Sequence, residues 1–255
     1  MEAQAPTPTA GNVAAFFDVD GTLTATTIVD YYAYFRRRGM SPMLGRLWQL
    51  GFWARCLCFL LLDKIDRGRL NVVFYRSYAG LSVGRVRSLV ADCYREVMRP
   101  RRFQEAEDCV VAHRRSGRPI VLVTGSIDFI VAPLARELSA EETLAPCLVE
   151  HHGRFTGDLN GPPIWAEEKA RRIQAFADLH DIDLTRSYAY GDSIADLQML
   201  EAVGRPHAVN PDRALARIAR QRGWPTLRWK SLAGDGCGSR DGGCEAEACC
   251  EGAGR

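Results

Sequence analysis

The 255-residue chain has no long unbroken hydrophobic run. Its longest apolar stretch, residues 57–62 extended back through Phe52, Trp53 and Ala54, is interrupted by Arg55 and stopped by Asp63. That is well short of the about 20 residues a membrane-spanning helix needs, so no transmembrane segment is expected, and only transient membrane contact by such a helix stays open. The chain also lacks an excess of either charge. Its 33 basic and 31 acidic residues give a formal +2, which removes the bulk attraction that nucleic-acid binders use, and no nucleic-acid partner is expected. The first eleven residues, MEAQAPTPTAG, have neither the basic region nor the apolar core of a secretory signal, so a cytoplasmic setting with reduced thiols is expected. The nine cysteines form no regular framework. Cys56, Cys58, Cys93, Cys109 and Cys147 sit among apolar neighbours as buried thiols do, while Cys237, Cys244, Cys249 and Cys250 lack the paired C-x-x-C knuckles of structural zinc sites.

What is present is the composition of a globular protein, 47% hydrophobic and 25% charged, in a chain long enough for a large core. Residues 1–12 are expected to be flexible. Residues 233–255 are Gly-rich and acidic with no aliphatic face, the pattern of a disordered tail. Residues 235–255 hold five acids against two arginines, leaving 31 basic and 26 acidic residues, a formal +5, on the body; that mild bias suits an anionic substrate.

Residues 13–17 form a short apolar run that ends in acids and Gly21, as a buried strand delivering Asp18 and Asp20 to a turn would. Residues 28–116 are then almost wholly helical in pattern and are expected to form an inserted cap. After Gly117 short apolar strands alternate with amphipathic helices. Strands are expected at 119–123, 147–150, 188–190, 207–209 and 226–229, and helices at 127–138, 165–180, 194–201 and 213–222. Alternation of this kind implies an α/β fold, a doubly wound parallel sheet, because parallel strands need crossovers. The expected core is 13–27 together with 117–232.

Four sites carry chemistry. In Asp18-Val19-Asp20-Gly21-Thr22, two carboxylates at a strand end repel one another unless a cation or proton intervenes, which invites Mg²⁺. In Thr124-Gly125-Ser126 a strand ends in a hydroxyl and a glycine just before a helix, a ready phosphate site that is also an ordinary helix cap. Lys169 lies near the start of a helix, where a lone lysine is usually a surface charge. Gly191-Asp192-Ser193-Ile194-Ala195-Asp196 again puts acids after a strand, beside a glycine that admits close backbone approach.

Taken in order, D-x-D-G-T, strand-T-G-S, Lys and G-D-S-x-x-D resemble the four motifs of the haloacid dehalogenase-like (HAD) phosphohydrolases, over residues 13 to about 232. The helical insertion resembles the cap of the phosphoserine-phosphatase-like branch. The resemblance implies a Rossmannoid core and a Mg²⁺-dependent phosphomonoester hydrolase working through an aspartyl-phosphate. Asp18 would be the nucleophile and Asp20 the general acid and base. Asp18, the Asp20 carbonyl and Asp192 would hold Mg²⁺. Thr124, Gly125 and Lys169 would bind phosphate, with Asp196 supporting Lys169 or the metal's waters.

One position departs from the branch. Phosphoserine phosphatases usually carry a Glu nine residues after the nucleophile, where this chain has Thr27; Asp30 lies one helical turn on. The apolar residues Trp48, Phe52, Trp53 and Phe59 fit either cap packing or a more hydrophobic phosphomonoester. Arg36, Arg37, Arg38, Arg101 and Arg102 read as solvated charge. The H-x4-D pattern from His207 to Asp212 matches glycerolipid acyltransferases, but no residues remain for such a domain. A phosphotransferase using the same intermediate and a non-catalytic scaffold are the alternatives; the second would most simply have lost Asp18 or Asp20, and both are present.

Overall fold

The computed structural model describes residues 12–38, 40, 41, 43–47, 50, 51, 72, 74–230 and 232. The segments 1–11 and 233–255, and the side chains of Trp48, Phe52, Trp53 and Phe59, lie outside the described residues.

Six strands make one parallel sheet. They are β1 (Ala15–Phe17), β2 (Ile120–Val123), β3 (Glu142–Leu144), β6 (Tyr188–Gly191), β7 (Arg205–Val209) and β8 (Thr226–Leu227), in the order β3-β2-β1-β6-β7-β8. Alternation along each strand divides the side chains between two cores. Phe17, Ile120, Leu122, Tyr188 and Tyr190 enter one cluster, while Phe16, Val121, Val123 and Ala189 enter the other. Helices cover both faces, so strands such as Ile-Val-Leu-Val read as unbroken apolar runs.

On the first face lie α3 (Gln104–Arg115) and α4 (Asp128–Leu138), and α1 (Ile28–Arg37) and α2 (Val83–Cys93) add their apolar residues to the same cluster. On the second lie α5 (Glu167–Leu179), α6 (Leu197–Glu201) and α7 (Arg213–Arg222). Between α2 and α3 the chain passes through a π-turn, Tyr94–Met98, and a 3₁₀ turn, Arg99–Arg101. The sequence division at residue 116 groups α3 with the cap, yet its fully buried His113 bonds the Tyr190 hydroxyl at 2.8 Å and packs edge-on to Phe17 and Tyr188 of the sheet.

One strand expectation is corrected. Residues 147–150 were to enter the parallel sheet; instead β4 (Leu148–His151) pairs antiparallel with β5 (Arg154–Leu159) in a separate hairpin. His152 and Gly153 both take positive φ at its turn, the geometry a tight hairpin demands. The hairpin docks on the segment before α2, where Phe155 N donates to Leu81 O and Val83 N to Gly153 O, both at 3.0 Å. The sheet strand in that part of the chain is β3, a three-residue edge of Glu-Thr-Leu with no apolar run to announce it.

Among the described residues no helix is long and apolar enough to cross a membrane. Cys93 and Cys109 are buried and Cys147 is half-buried, each as a thiol outside any disulfide.

Candidate active site

β1 is the central strand from which the chain winds first one way, to β2 and β3, and later the other, to β6, β7 and β8. In open parallel sheets that reversal leaves a crevice beyond the carboxyl ends of the strands. Asp18 stands there, its N–H still in the ladder as a donor to Tyr190 O at 3.0 Å. The chain then turns back on itself, with Leu23 N and Thr24 N both donating to Val19 O and Gly21 N to Thr24 O.

Each expected residue arrives on its own element. Thr124 follows β2 and is fully buried; its Oγ1 accepts from Ser126 N at 2.9 Å, which leaves its own proton for a further partner. Gly125 O accepts from the Tyr75 hydroxyl at 2.5 Å. Lys169 sits in the first turn of α5 and is 4% exposed, so it is a buried cation and no surface lysine. Asp192 and Asp196 lie in the loop after β6, which is stitched to the start of α5 by Ala166 N donating to Ala195 O at 3.0 Å.

The sharpest contact joins three of these residues. Lys169 Nζ donates to Asp18 Oδ1 at 2.5 Å and to Asp196 Oδ1 at 2.6 Å. Asp196 Oδ2 accepts from Ser193 N and Oγ, each at 3.0 Å, and from Asp192 N at 3.2 Å, so the supporting carboxylate is saturated and immobile. Carboxylate oxygens of Asp18, Asp192 and Asp196 all lie within 4.8 Å of one another. Asp20 stands apart from that trio, its carboxylate bonded to Ser126, Tyr31 and Thr26.

The electrostatics follow from burial. Loss of water pushes the Asp18 carboxyl up to about 7, against the pull of Lys169, and nearby Asp196 adds repulsion. Asp192 is pushed up to about 9 by burial and by the charges of Asp196 and Asp18. Burial works against the Lys169 charge too, but its two carboxylate partners outweigh that and keep it protonated. One lysine thus serves three clustered carboxylates, which leaves negative charge for a cation to offset. A hard divalent ion such as Mg²⁺ fits a donor set made of oxygens alone.

Other readings are resolved by contacts. His207 stacks on Tyr190 inside the sheet, and Asp212 caps α7 by accepting from Leu215 N at 2.8 Å, so the H-x4-D match has structural causes. Asp30 is engaged by Thr27 N and Oγ1, both at 2.8 Å, in a capping box that opens α1, and by Arg101 at 3.2 Å. Arg102 is a correction: expected as solvated charge, it is 6% exposed and paired with Glu107 at 2.9 Å and Glu137 at 2.6 Å. Sequence reasoning missed Tyr31 and Thr26, since a tyrosine on an aromatic helix face carries no chemical mark of its own.

Fold and site together define an α/β protein with an acidic, lysine-bridged crevice beyond the carboxyl ends of its parallel strands. The model of the haloacid dehalogenase-like hydrolases matches residues 15–201, and the chain belongs to that family, in its phosphoserine-phosphatase-like branch. It is 37% identical over 218 residues to a probable phosphatase of Mycobacterium tuberculosis, covering 84% of this chain and 74% of that one. It is 30% identical over 218 residues to a phosphoserine phosphatase of the same organism, covering 83% and 69%. Among solved structures, a Bordetella pertussis protein of unknown function superposes with a TM-score of 0.72 at 28% identity, covering 85% and 98%. A substrate-bound phosphoserine phosphatase superposes at 0.62 and 18% identity, covering 85% and 92%, a likeness of fold.

Proposed function

We propose that this phosphatase hydrolyses a small or apolar phosphomonoester through an aspartyl-phosphate on Asp18, with Mg²⁺ held by Asp18, Asp192 and the Asp20 carbonyl. The observation that carries the reading is the sharing of Lys169 between Asp18 and Asp196 at 2.5 and 2.6 Å, which holds one carboxylate oxygen of Asp18 and leaves the other for attack. Mg²⁺, when bound, supplies the positive charge that offsets repulsion between nucleophile and phosphate.

Asp18 attacks phosphorus, and the bond to the leaving oxygen breaks as Asp20 gives that oxygen a proton. Asp20, now a carboxylate, takes a proton from water, whose oxygen attacks phosphorus and frees Asp18 and inorganic phosphate. Thr124 Oγ, the Gly125 backbone and Lys169 hold the phosphoryl oxygens during both steps, with Asp196 keeping Lys169 in place. The helical insertion within 28–116 acts as the cap over this crevice, reaching it through Tyr31 and Tyr75. Two relatives bear phosphatase names, which supports the reaction class. Thr27 argues against free phosphoserine as the preferred substrate, because a neutral side chain occupies the position of the ammonium-binding Glu.

The test is acid quenching with a ³²P-labelled phosphomonoester. Wild type retains a hydroxylamine-labile label; Asp18→Asn retains none and loses about a thousandfold or more in kcat while keeping its circular dichroism. A folded Asp18→Asn protein with more than about a tenth of the wild-type rate overturns the covalent route.

A further inference from the structure

Four carboxylates crowd this end of the sheet, and the lysine is taken by Asp18 and Asp196. Asp20, taken above as the leaving-group acid, is held by neutral hydroxyls. Ser126 Oγ donates to its Oδ2 at 2.5 Å and Tyr31 Oη to its Oδ1 at 2.8 Å. Behind Tyr31 the hydroxyls continue, with Thr26 Oγ1 at 2.5 Å from Tyr31 Oη and Thr24 Oγ1 at 2.5 Å from Thr26. Thr24, Thr26 and Tyr31 are all buried.

The direction of this chain follows from proton counting. Tyr31 has one proton and gives it to Asp20, so toward Thr26 it can only accept, and the single Thr26 proton faces both Tyr31 at 2.5 Å and Asp20 Oδ1 at 3.3 Å. The Thr24 hydroxyl reaches Val19 O at 3.3 Å, a carbonyl that already accepts from Leu23 N and Thr24 N, and Thr26 Oγ1 at 2.5 Å, the shorter of its two contacts. Along the shorter contacts each hydroxyl points its proton toward Asp20, an alignment in which each bond polarises the next.

We propose that Tyr31, backed by Thr26 and Thr24, is the positioning residue that holds the Asp20 carboxyl in its proton-transfer orientation and away from Lys169. This rests on the reading of Asp20 as general acid. It also gives the helical insertion a part in the chemistry, because Tyr31 belongs to α1. An Asp20 released from the clamp is drawn to the Lys169 cation, where a salt bridge replaces proton delivery.

The experiment compares kcat on glycerol 2-phosphate, whose alkoxide needs a proton to leave, with kcat on p-nitrophenyl phosphate, whose phenolate needs little help. Tyr31→Phe removes only the hydroxyl. It lowers kcat on glycerol 2-phosphate by about tenfold or more, the loss expected for one hydrogen bond to a charged group, and changes p-nitrophenyl phosphate by about twofold or less. KM stays close to wild type for both. Ser126→Ala shifts the ratio the same way, and Tyr78→Phe, a buried tyrosine packed against Tyr32 and Phe155, leaves it unchanged. Should Tyr31→Phe fail to fold, Thr26→Val and Ser126→Ala carry the same comparison. Equal losses on both substrates in Tyr31→Phe, or an unmoved ratio while Asp20→Asn moves it, overturn the role of Tyr31 alone. Equal losses in Asp20→Asn overturn the acid assignment itself, and the clamp falls with it.

Discussion

Gly21 and Asp192 meet backbone to side chain: a Cβ on Gly21 would stand 2.3 Å from Asp192 Oδ2 and 2.6 Å from its Cγ. Gly21 also has φ +96°, a conformation that L side chains rarely adopt. The glycine of the first motif is therefore required by a carboxylate 171 residues further on, since only a bare Cα lets the loop after β1 lie against the loop after β6.

Gly21→Ala tests that relationship. Strain of about 1 to 3 kcal/mol is expected, together with a forced shift of the Asp192 carboxylate. Loss of alignment at this scale costs about a hundredfold in rate, so kcat should fall by that order while the melting temperature drops. Wild-type kcat in the alanine variant would show that Asp192 moves without consequence.

Metal-free protein should lose stability as pH rises. Asp18 and Asp192 have folded-state values raised to about 7 and about 9 from the ordinary 3.8, so between those limits the folded state holds protons that the unfolded chain has released. Their favourable effect is full at low pH and is lost on the way up through the folded values. Melting temperature measured in EDTA should fall across that window, and added Mg²⁺ should flatten the profile by taking the protons' place. A flat profile in EDTA would contradict the crowding of these carboxylates.

Substrate choice should answer to position 27. Thr27 opens α1 and binds Asp30, whose carboxylate also meets Arg101, so neither residue offers a free acid for an ammonium group. Thr27→Glu should raise kcat/KM for phosphoserine relative to glycerol 2-phosphate by about tenfold or more, the effect of a charge-assisted contact. A wild-type enzyme that already prefers phosphoserine to every other phosphomonoester would refute the reading.

Arg102→Met should act on stability and leave catalysis alone. The guanidinium is buried between Glu107 and Glu137, the latter's side chain 39% exposed, so solvent screening reduces the loss to about 2 kcal/mol from the 3 to 5 typical of a fully buried pair. Thermal unfolding checks the loss, and KM should hold at its wild-type value. A rise in KM with unchanged stability would instead make Arg102 a contact for the anionic substrate.

Much of the proposed catalytic set could be placed from the chain because its positions follow local rules. Asp18, Thr124 and Asp192 each end a buried strand, and strand ends face the crevice of an open sheet. β3 and the β4–β5 hairpin are not legible in the same way. Glu142–Leu144 has no apolar run and is held as an edge by β2, whereas residues 148–151 look like a sheet strand and are claimed by the turn at His152 and Gly153. Arg102 misleads for a related cause, since a charged pair of arginines looks solvated until the folded neighbours are known.

By itself the sequence determines the central strands, as short unbroken apolar runs, and the chemical kinds of side chain set at their ends. Only the tertiary structure decides which of those side chains meet. Lys169 has Asp18 and Asp196 as partners at separations of 151 and 27 residues, while Asp20, two residues from Asp18, turns to Ser126 and Tyr31 instead. The physical reason is that a buried charge must be paired, and the partners within reach are set by the order of strands in the sheet and the helices packed on it, not by distance along the chain.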